Sequence, residues 1–258
     1  MADADPLESF GPLLDDAAHA GLFVDFDGTL AAIVEDPASS RPLPGIAAAL
    51  AHLADRLAVV GVVSGRPVDF LAPFFGPSIH LAGLYGLETR VGDGQSEHPA
   101  AEVWRDVIAE VASDAIARGP AGMRVESKGL SLTLHYRGAP HLEHDVRAWA
   151  EQHGAVAGLA VRPAKMSYEL HPPIEIDKGT TLLAWADGLR SVVFIGDDLG
   201  DLPAFDALDA LAARGVATVR VGVRTTEAAP ELLRRADVIV DGPPGVADLL
   251  SRLRAAAR

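Results

Sequence analysis

The sequence predicts an α/β fold built on a parallel sheet, with a second, α+β domain inserted into it. Three observations carry that prediction. Short, almost wholly apolar runs alternate with amphipathic helical stretches toward both ends of the chain, as expected of strands buried on both faces. Several of those runs end in acidic or glycine-containing turns, where open α/β sheets place their ligands. The middle of the chain reads instead as helix, hairpin, helix, hairpin. Its strands alternate polar and apolar residues, as an antiparallel sheet does when one face is covered.

Taken in order, the first twenty residues read as a short Ala-rich helix with no assigned role. The apolar run that begins at Leu22 is interrupted by Asp25 and Asp27 on either side of Phe26. Residues 46–57, "IAAALAHLADRL", have helical spacing and feed the strand-like "AVVGVVSG". The same strand pattern returns in "SVVFIGDD" (191–198), "VATVRVGV" (216–223) and "ADVIVDG" (236–242), with the helical "LPAFDALDALAARG" between the first two. Strand–helix alternation of this kind implies right-handed crossovers.

Between about Ala101 and Pro172, a helix over 102–118 precedes a hairpin of "MRVESKG" and "LSLTLHYR". A second helix, "HLEHDVRAWAEQH", is expected to close at Gly154, a favoured C-cap residue. A second hairpin, "GLAVRPA" and "KMSYELHPP", follows. The expected division is a discontinuous core, 1–97 with 174–258, and an insert over 98–173.

A chain of 258 residues can bury a substantial core, and at 49% hydrophobic and 22% charged it has ordinary globular composition. Its net charge of -14 argues against nucleic acid and against anionic membranes as partners. An anionic small substrate remains compatible, because a metal ion and a few local cations can invert the field inside one cleft. The absence of cysteine excludes disulfides, thiolate chemistry and Cys-type zinc sites. The start, "MADADPLESF", lacks the layout of a signal peptide, and no apolar run is long enough to span a bilayer. A soluble, cytoplasmic protein is therefore expected, and nothing in the sequence points to a particular oligomeric state.

Four strand or helix ends carry candidate chemistry. They are Asp25 and Asp27 with Gly28 and Thr29; Ser64-Gly65-Arg66; Lys178 in "EIDKGTTLLAW"; and Asp197-Asp198 with Asp201. Two buried carboxylates need a metal, a cation or a proton to coexist. Carboxylates converging at one sheet edge form an all-oxygen nest suited to Mg²⁺. A Lys ammonium and a Ser hydroxyl would hold a phosphoryl group, an Asp can attack phosphorus, and a second acid two residues on can move the proton. Singly these motifs are weak: an Asp-x-Asp is often a solvated turn, and Asp198 and Asp201 also suit the first turn of a helix.

In combination, "DFDGT" at 25–29, "VVSG" at 62–65, Lys178 and "GDDLGD" at 196–201 resemble the four ordered motifs of the haloacid dehalogenase-like phosphatases. The resemblance implies a Rossmann-like core with an α+β cap of the C2 type. It makes Asp25 the nucleophile and Asp27 the acid/base, and gives the phosphoryl group to Thr29, Ser64, Gly65 and Lys178. Mg²⁺ would be held by Asp25, Asp27, Asp197 and Asp201. "AGLYGLE", "VESKGLSLTLHYR" and "YELHPPIEIDKG" further resemble the trehalose-6-phosphate phosphatase family. That likeness implies substrate contacts from Arg66, Glu126, Lys128, Arg137, Lys165 and Glu169. Tyr85 stands where that family is expected to carry His, and Gly200 where Thr is usual.

The alternatives are a phosphatase for another sugar phosphate (sucrose or glucosylglycerol phosphate), a capped phosphomutase, a non-catalytic sugar-phosphate-binding protein, and a signalling receiver domain. The last would be about half this length, without an insert. Arg66 equally suits a pair with a nearby acid, and the charges at 128, 137 and 165 equally suit a solvated strand face.

Overall fold

The computed structural model describes residues 6–257; of the expected N-terminal helix, residues 1–5 lie outside them. The chain divides into two compact units, Met1–Ser96 with Ile176–Arg258, and Glu97–Glu175.

In the first unit α1 (Gly11–Asp15), flanked by single 3-10 turns, precedes β1 (Ala20–Val24), α2 (Ile46–Ala54), β2 (Val59–Val63) and α3 (Val68–Leu71). Next come β3 (His80–Gly83), β4 (Glu88–Val91) and β5 (Gly94–Glu97). The second unit holds α4 (Arg105–Arg118), β6 (Arg124–Ser127), β7 (Leu132–His135), α5 (Glu143–Ala157), β8 (Ala160–Ala164) and β9 (Ser167–His171). The chain then returns to the first unit with α6 (Lys178–Trp185), β10 (Ser191–Gly196), α7 (Leu202–Ala212), β11 (Ala217–Arg224), α8 (Pro230–Arg235), β12 (Val238–Asp241) and α9 (Gly242–Ala256).

The larger sheet runs β12-β11-β10-β1-β2-β3-β4-β5. Its pairs from β12 through β3 are parallel, and β4 lies antiparallel to β3. Strand β5 was not legible as a strand, because "GDGQSE" is polar throughout and the strand is exposed along its length. The period of two along each central strand feeds two cores. Leu22, Val24, Val193 and Ile195 pack with Leu50, Leu53, Leu249 and Leu253 on one face. Phe23, Val192 and Phe194 pack with Leu182, Phe205, Leu208 and Leu232 on the other. The N-terminal turns belong to the first of these cores, through the buried Phe10 and Leu13. Being covered on both faces is why these strands read as continuous apolar runs.

The second unit is a four-stranded antiparallel sheet, β6-β7-β9-β8, with the two hairpins joined through β7 and β9. Leu132, Leu134 and Leu170 pack against Ile108, Val146, Trp149 and Ala150 of the two helices. Gly154 does not end α5, which corrects the sequence expectation. The helix runs on to Ala157 and stops at Gly158, whose φ of 71° is the left-handed cap. Gly154 is instead a contact glycine: a Cβ there would lie 2.8 Å from Val161 Cγ2, so its absence lets β8 approach the helix. Among the described residues no helix is long and apolar enough to cross a membrane.

Candidate active site

Chain reversal at the carboxyl end of β1 is what makes the site. Asp25 continues the ladder, its N–H donating to Ile195 O at 2.9 Å, and the next residues fold back so that Gly28 N–H donates to Ala31 O. Phe26 points away into a cluster with Phe70, Phe74 and Phe75. The two acids beside it therefore face the sheet edge while the Phe between them anchors the turn. Gly28 has φ 87°, and a Cβ there would fall 2.2 Å from Asp197 Oδ2, so this position needs glycine on both counts.

Neighbouring strands and one helix supply the rest. Strand β10 ends at Gly196 and delivers Asp197, with Asp201 in a 3-10 turn just beyond. Asp201 Oδ2 accepts from the N–H groups of Asp197 at 2.8 Å and Asp198 at 3.0 Å. A Cβ on Gly196 would clash with that carboxylate at 2.4 Å, which is why the strand ends in glycine. The carboxylate of Asp198 accepts from Gly200 N–H and caps the same turn, so this acid takes the local structural role. Lys178 opens α6 behind a capping box formed by Asp177 and Thr180. Its ammonium donates to Asp25 Oδ1 and to Asp201 Oδ1, each at 2.6 Å.

Asp25, Asp197, Asp201 and Lys178 are all buried. Carboxylate oxygens of the three acids lie within 4.8 Å of one another. Three carboxylates face one ammonium, so the cluster is short of positive charge. Burial pushes Asp25 well above the usual carboxylate range, against the pull of Lys178 and with the help of its acidic neighbours. Asp201 is raised for the same reason. Burial works against the charge on Lys178, but Asp201 and Asp25 outweigh it and hold the ammonium well above its ordinary value. An all-oxygen, anionic, desolvated cluster fits a hard divalent cation. Beside it, Ser64 is buried with its N–H donating to Ala82 O. Thr29 is buried too, and its Oγ1 has no hydrogen-bond partner among the described residues.

Of the four acids expected at the metal, the carboxylate of Asp27 is not in the cluster. It is held by Arg66, with Nε donating to Oδ2 at 2.6 Å and the second terminal nitrogen to Oδ1 at 2.9 Å. Ser40 Oγ donates to the same Oδ1 at 3.1 Å. This pairs Arg66 with the acid. Ser40 lies 13 positions from Asp27, in a stretch with no motif to mark it. Glu88, at the end of "AGLYGLE", caps α3 by accepting from Val68 N–H at 2.8 Å.

In the second unit, register aligns Glu126 with Thr133, Thr133 with Glu169, and Glu169 with Arg162, one row across one sheet face. Glu169 accepts from Ser131 Oγ at 2.8 Å and lies 3.6 Å from Lys128 Nζ. Glu126 Oε2 is hydrogen-bonded to His135 Nε2 at 2.8 Å. Burial raises Glu169, but Lys128, the Ser131 hydroxyl and Arg162 together carry it below its ordinary value. Glu126, Lys128 and Glu169 thus belong to one polar face. Arg137 and Lys165 follow and precede residues His135 and Ser167, which pair at the opposite end of the strands from Lys128. Arg162 was missed because only pairing across β8 and β9 brings it to Glu169.

A mostly parallel sheet with an inserted α+β unit, and an Asp/Lys cluster at its carboxyl edge, is the arrangement of the haloacid dehalogenase-like fold. A haloacid dehalogenase-like hydrolase from Bacteroides thetaiotaomicron shares that fold, at TM-score 0.60 and 16% identity over 91% of this chain and 99% of that one. Residues 23–234 match the family model described as Trehalose-phosphatase, and the chain belongs to that family. Among curated relatives, the trehalose-phosphate phosphatase of Mycobacterium avium (strain 104) is 37% identical over 77% of this chain and 54% of its own length. That of Mycobacterium leprae (strain TN) is 34% identical over 86% of this chain and 55% of its own length. The chain thus spans about half the length of the curated relatives it matches. The C-terminal domain of Candida albicans trehalose-6-phosphate phosphatase has the same fold, at TM-score 0.78 and 20% identity over 98% of this chain and 96% of that one.

Proposed function

We propose that this chain is a Mg²⁺-dependent phosphatase that hydrolyses trehalose 6-phosphate to trehalose and phosphate. The observation that carries the reading is the cluster of Asp25, Asp197 and Asp201 around Lys178, in a chain of the trehalose-phosphatase family. Asp25, Asp197 and Asp201 would hold Mg²⁺. When bound, Mg²⁺ supplies the positive charge that lets an anionic phosphoryl group approach an anionic nucleophile.

A carboxylate oxygen of Asp25 forms a bond to phosphorus as the bond from phosphorus to the sugar oxygen breaks. Asp27 gives its proton to that departing oxygen, so trehalose leaves as a neutral alcohol. Water then loses a proton to Asp27 as its oxygen attacks the phosphorus of the aspartyl-phosphate. Phosphate is released and both acids are restored. Lys178 keeps Asp25 aligned in the resting site and, with Thr29, Ser64 and Gly65, holds the phosphoryl oxygens. Glu126, Lys128 and Glu169 recognise sugar hydroxyls, since paired polar groups of this kind discriminate strongly against a substrate lacking the matching hydroxyl.

The test is phosphate release from trehalose 6-phosphate beside a panel of other sugar phosphates, with Mg²⁺ and with chelator. Preferential, chelator-sensitive release from trehalose 6-phosphate is expected. Metal-dependent release from a different sugar phosphate alone would overturn the substrate, and silence across the panel from folded protein would overturn the enzyme reading. Independently of turnover, Mg²⁺ should raise the melting temperature, and Asp197→Asn should remove that rise.

A further inference from the structure

We propose that Arg66 is a positioning residue: it fixes the plane and direction of the Asp27 carboxylate so that the acid's proton meets the departing oxygen. The inference rests on the phosphatase reading above and deepens it.

Each nitrogen of the guanidinium is already committed to the protein. Two of them grip the two oxygens of Asp27 at 2.6 and 2.9 Å, the fork-to-fork geometry that fixes orientation as well as distance. The third donates to Pro37 O at 2.9 Å, and the guanidinium carbon lies 4.6 Å from the centre of the Phe70 ring. The Arg66 side chain is 10% exposed and that of Asp27 33% exposed. The arginine therefore backs the carboxylate from the protein side and leaves the acid toward solvent.

The backbone beneath Arg66 is held as firmly. Arg66 O accepts from Leu84 N–H at 3.0 Å, and Ser64 O accepts from Tyr85 N–H at 2.9 Å. Leu84 and Tyr85 achieve this with φ of 49° and 63°, two consecutive non-glycine residues in the left-handed region. A strained backbone conformation of this kind persists only where its surroundings over-determine it. Glu88 closes the same loop from below by accepting from Val68 N–H. Strain and buried hydrogen bonds thus converge on the segment that aims one arginine at one acid.

A general acid acts only when its proton lies on the path to the leaving oxygen, and small misplacement is costly. The acid's contribution grows with the basicity of the leaving group. The test is pre-steady-state release of phenol from a series of aryl phosphates of rising leaving-group basicity, with Mg²⁺, in wild type, Arg66→Ala, Arg66→Lys and Asp27→Asn. Far-UV circular dichroism accompanies each variant. Arg66→Ala should leave release from p-nitrophenyl phosphate within several-fold of wild type, while release from the most basic phenol falls about 100-fold. Arg66→Lys should fail in the same way, because one ammonium cannot span both carboxylate oxygens. Adding Arg66→Ala to Asp27→Asn should cost nothing further, since both act through one group.

A uniform fall across the series, a KM increase common to all esters, or full rescue by Lys would overturn the proposal in favour of phosphoryl binding or a purely structural role. Loss of the circular-dichroism signal in Arg66→Ala passes the decision to Arg66→Lys, which keeps the charge: a folded Lys variant with the wild-type leaving-group slope would overturn it. If wild type releases no phenol from any ester, the phosphatase reading fails and takes this inference with it. A working wild type with an unchanged slope in the variants sinks only the inference.

Discussion

Two polar clusters, one in each unit and each holding a buried carboxylate, are built in opposite ways. At the edge of the parallel sheet, Asp25 and Lys178 meet across 153 positions, and three clustered carboxylates have one ammonium, which bonds two of them. On the face of the antiparallel sheet, Glu126, Thr133, Glu169 and Arg162 come from adjacent strands in register, and the two acids are matched by Lys128 and Arg162. Asp25 and Glu169 are both buried, and burial raises both. Asp25 stays well above its ordinary value because its cation is outnumbered, whereas Glu169 falls below its own because its neighbours compensate it. A charge deficit of this kind suits a hard cation, whereas a balanced cluster suits neutral hydrogen-bonding groups.

The largest break in this comparison should come from Asp25→Asn. Turnover of trehalose 6-phosphate should fall by at least about 10⁴-fold, while the melting temperature in chelator stays level or rises, because one of the crowded carboxylates is gone. Activity within tenfold of wild type would end the nucleophile assignment. Lys178→Met should do the reverse to stability, leaving the acids without their ammonium and costing about 3–5 kcal/mol by urea unfolding in chelator. An unchanged unfolding midpoint would show that the ammonium does not hold the site together.

The balanced cluster should respond more gently. Glu126→Gln should lower kcat/KM for trehalose 6-phosphate by about 10- to 100-fold and leave p-nitrophenyl phosphate untouched. An equal loss on both esters would remove Glu126 from sugar recognition. The smallest effects are the pH slopes in chelator, which should carry opposite signs. Glu169 is lowered from 4.5, so its stabilisation is complete above that value and is lost as pH falls through the folded value. Asp25 is raised from 3.8, so its contribution is complete below that value and is lost as pH rises through the folded value. Comparing wild type with Glu169→Gln and with Asp25→Asn, each across its own window, reads the two slopes. Slopes of the same sign would contradict the contrast between the two clusters.

The sequence by itself determined the doubly wound core, the helix–hairpin repeat of the insert, and the four segments that meet at the site. Those features rest on local signals: apolar runs for strands covered on both faces, alternation for a half-covered sheet, and short motifs at strand and helix ends. Asp25, Lys178, Asp197 and Asp201 were legible because each stands at the carboxyl end of a strand or the start of a helix, which chain direction alone locates. Only the tertiary structure joined Asp27 to Arg66: the sequence put the acid at the metal, and left the arginine equally suited to a substrate or to a nearby acid. It also moved the end of α5 from Gly154 to Gly158: the glycine at 154 makes room for a strand that follows in sequence, and the left-handed cap falls at 158. It brought Arg162 to Glu169 and Ser40 to Asp27 as well. Pairing and packing across distant segments are set by how whole elements fit, and no local pattern of residue types encodes the outcome.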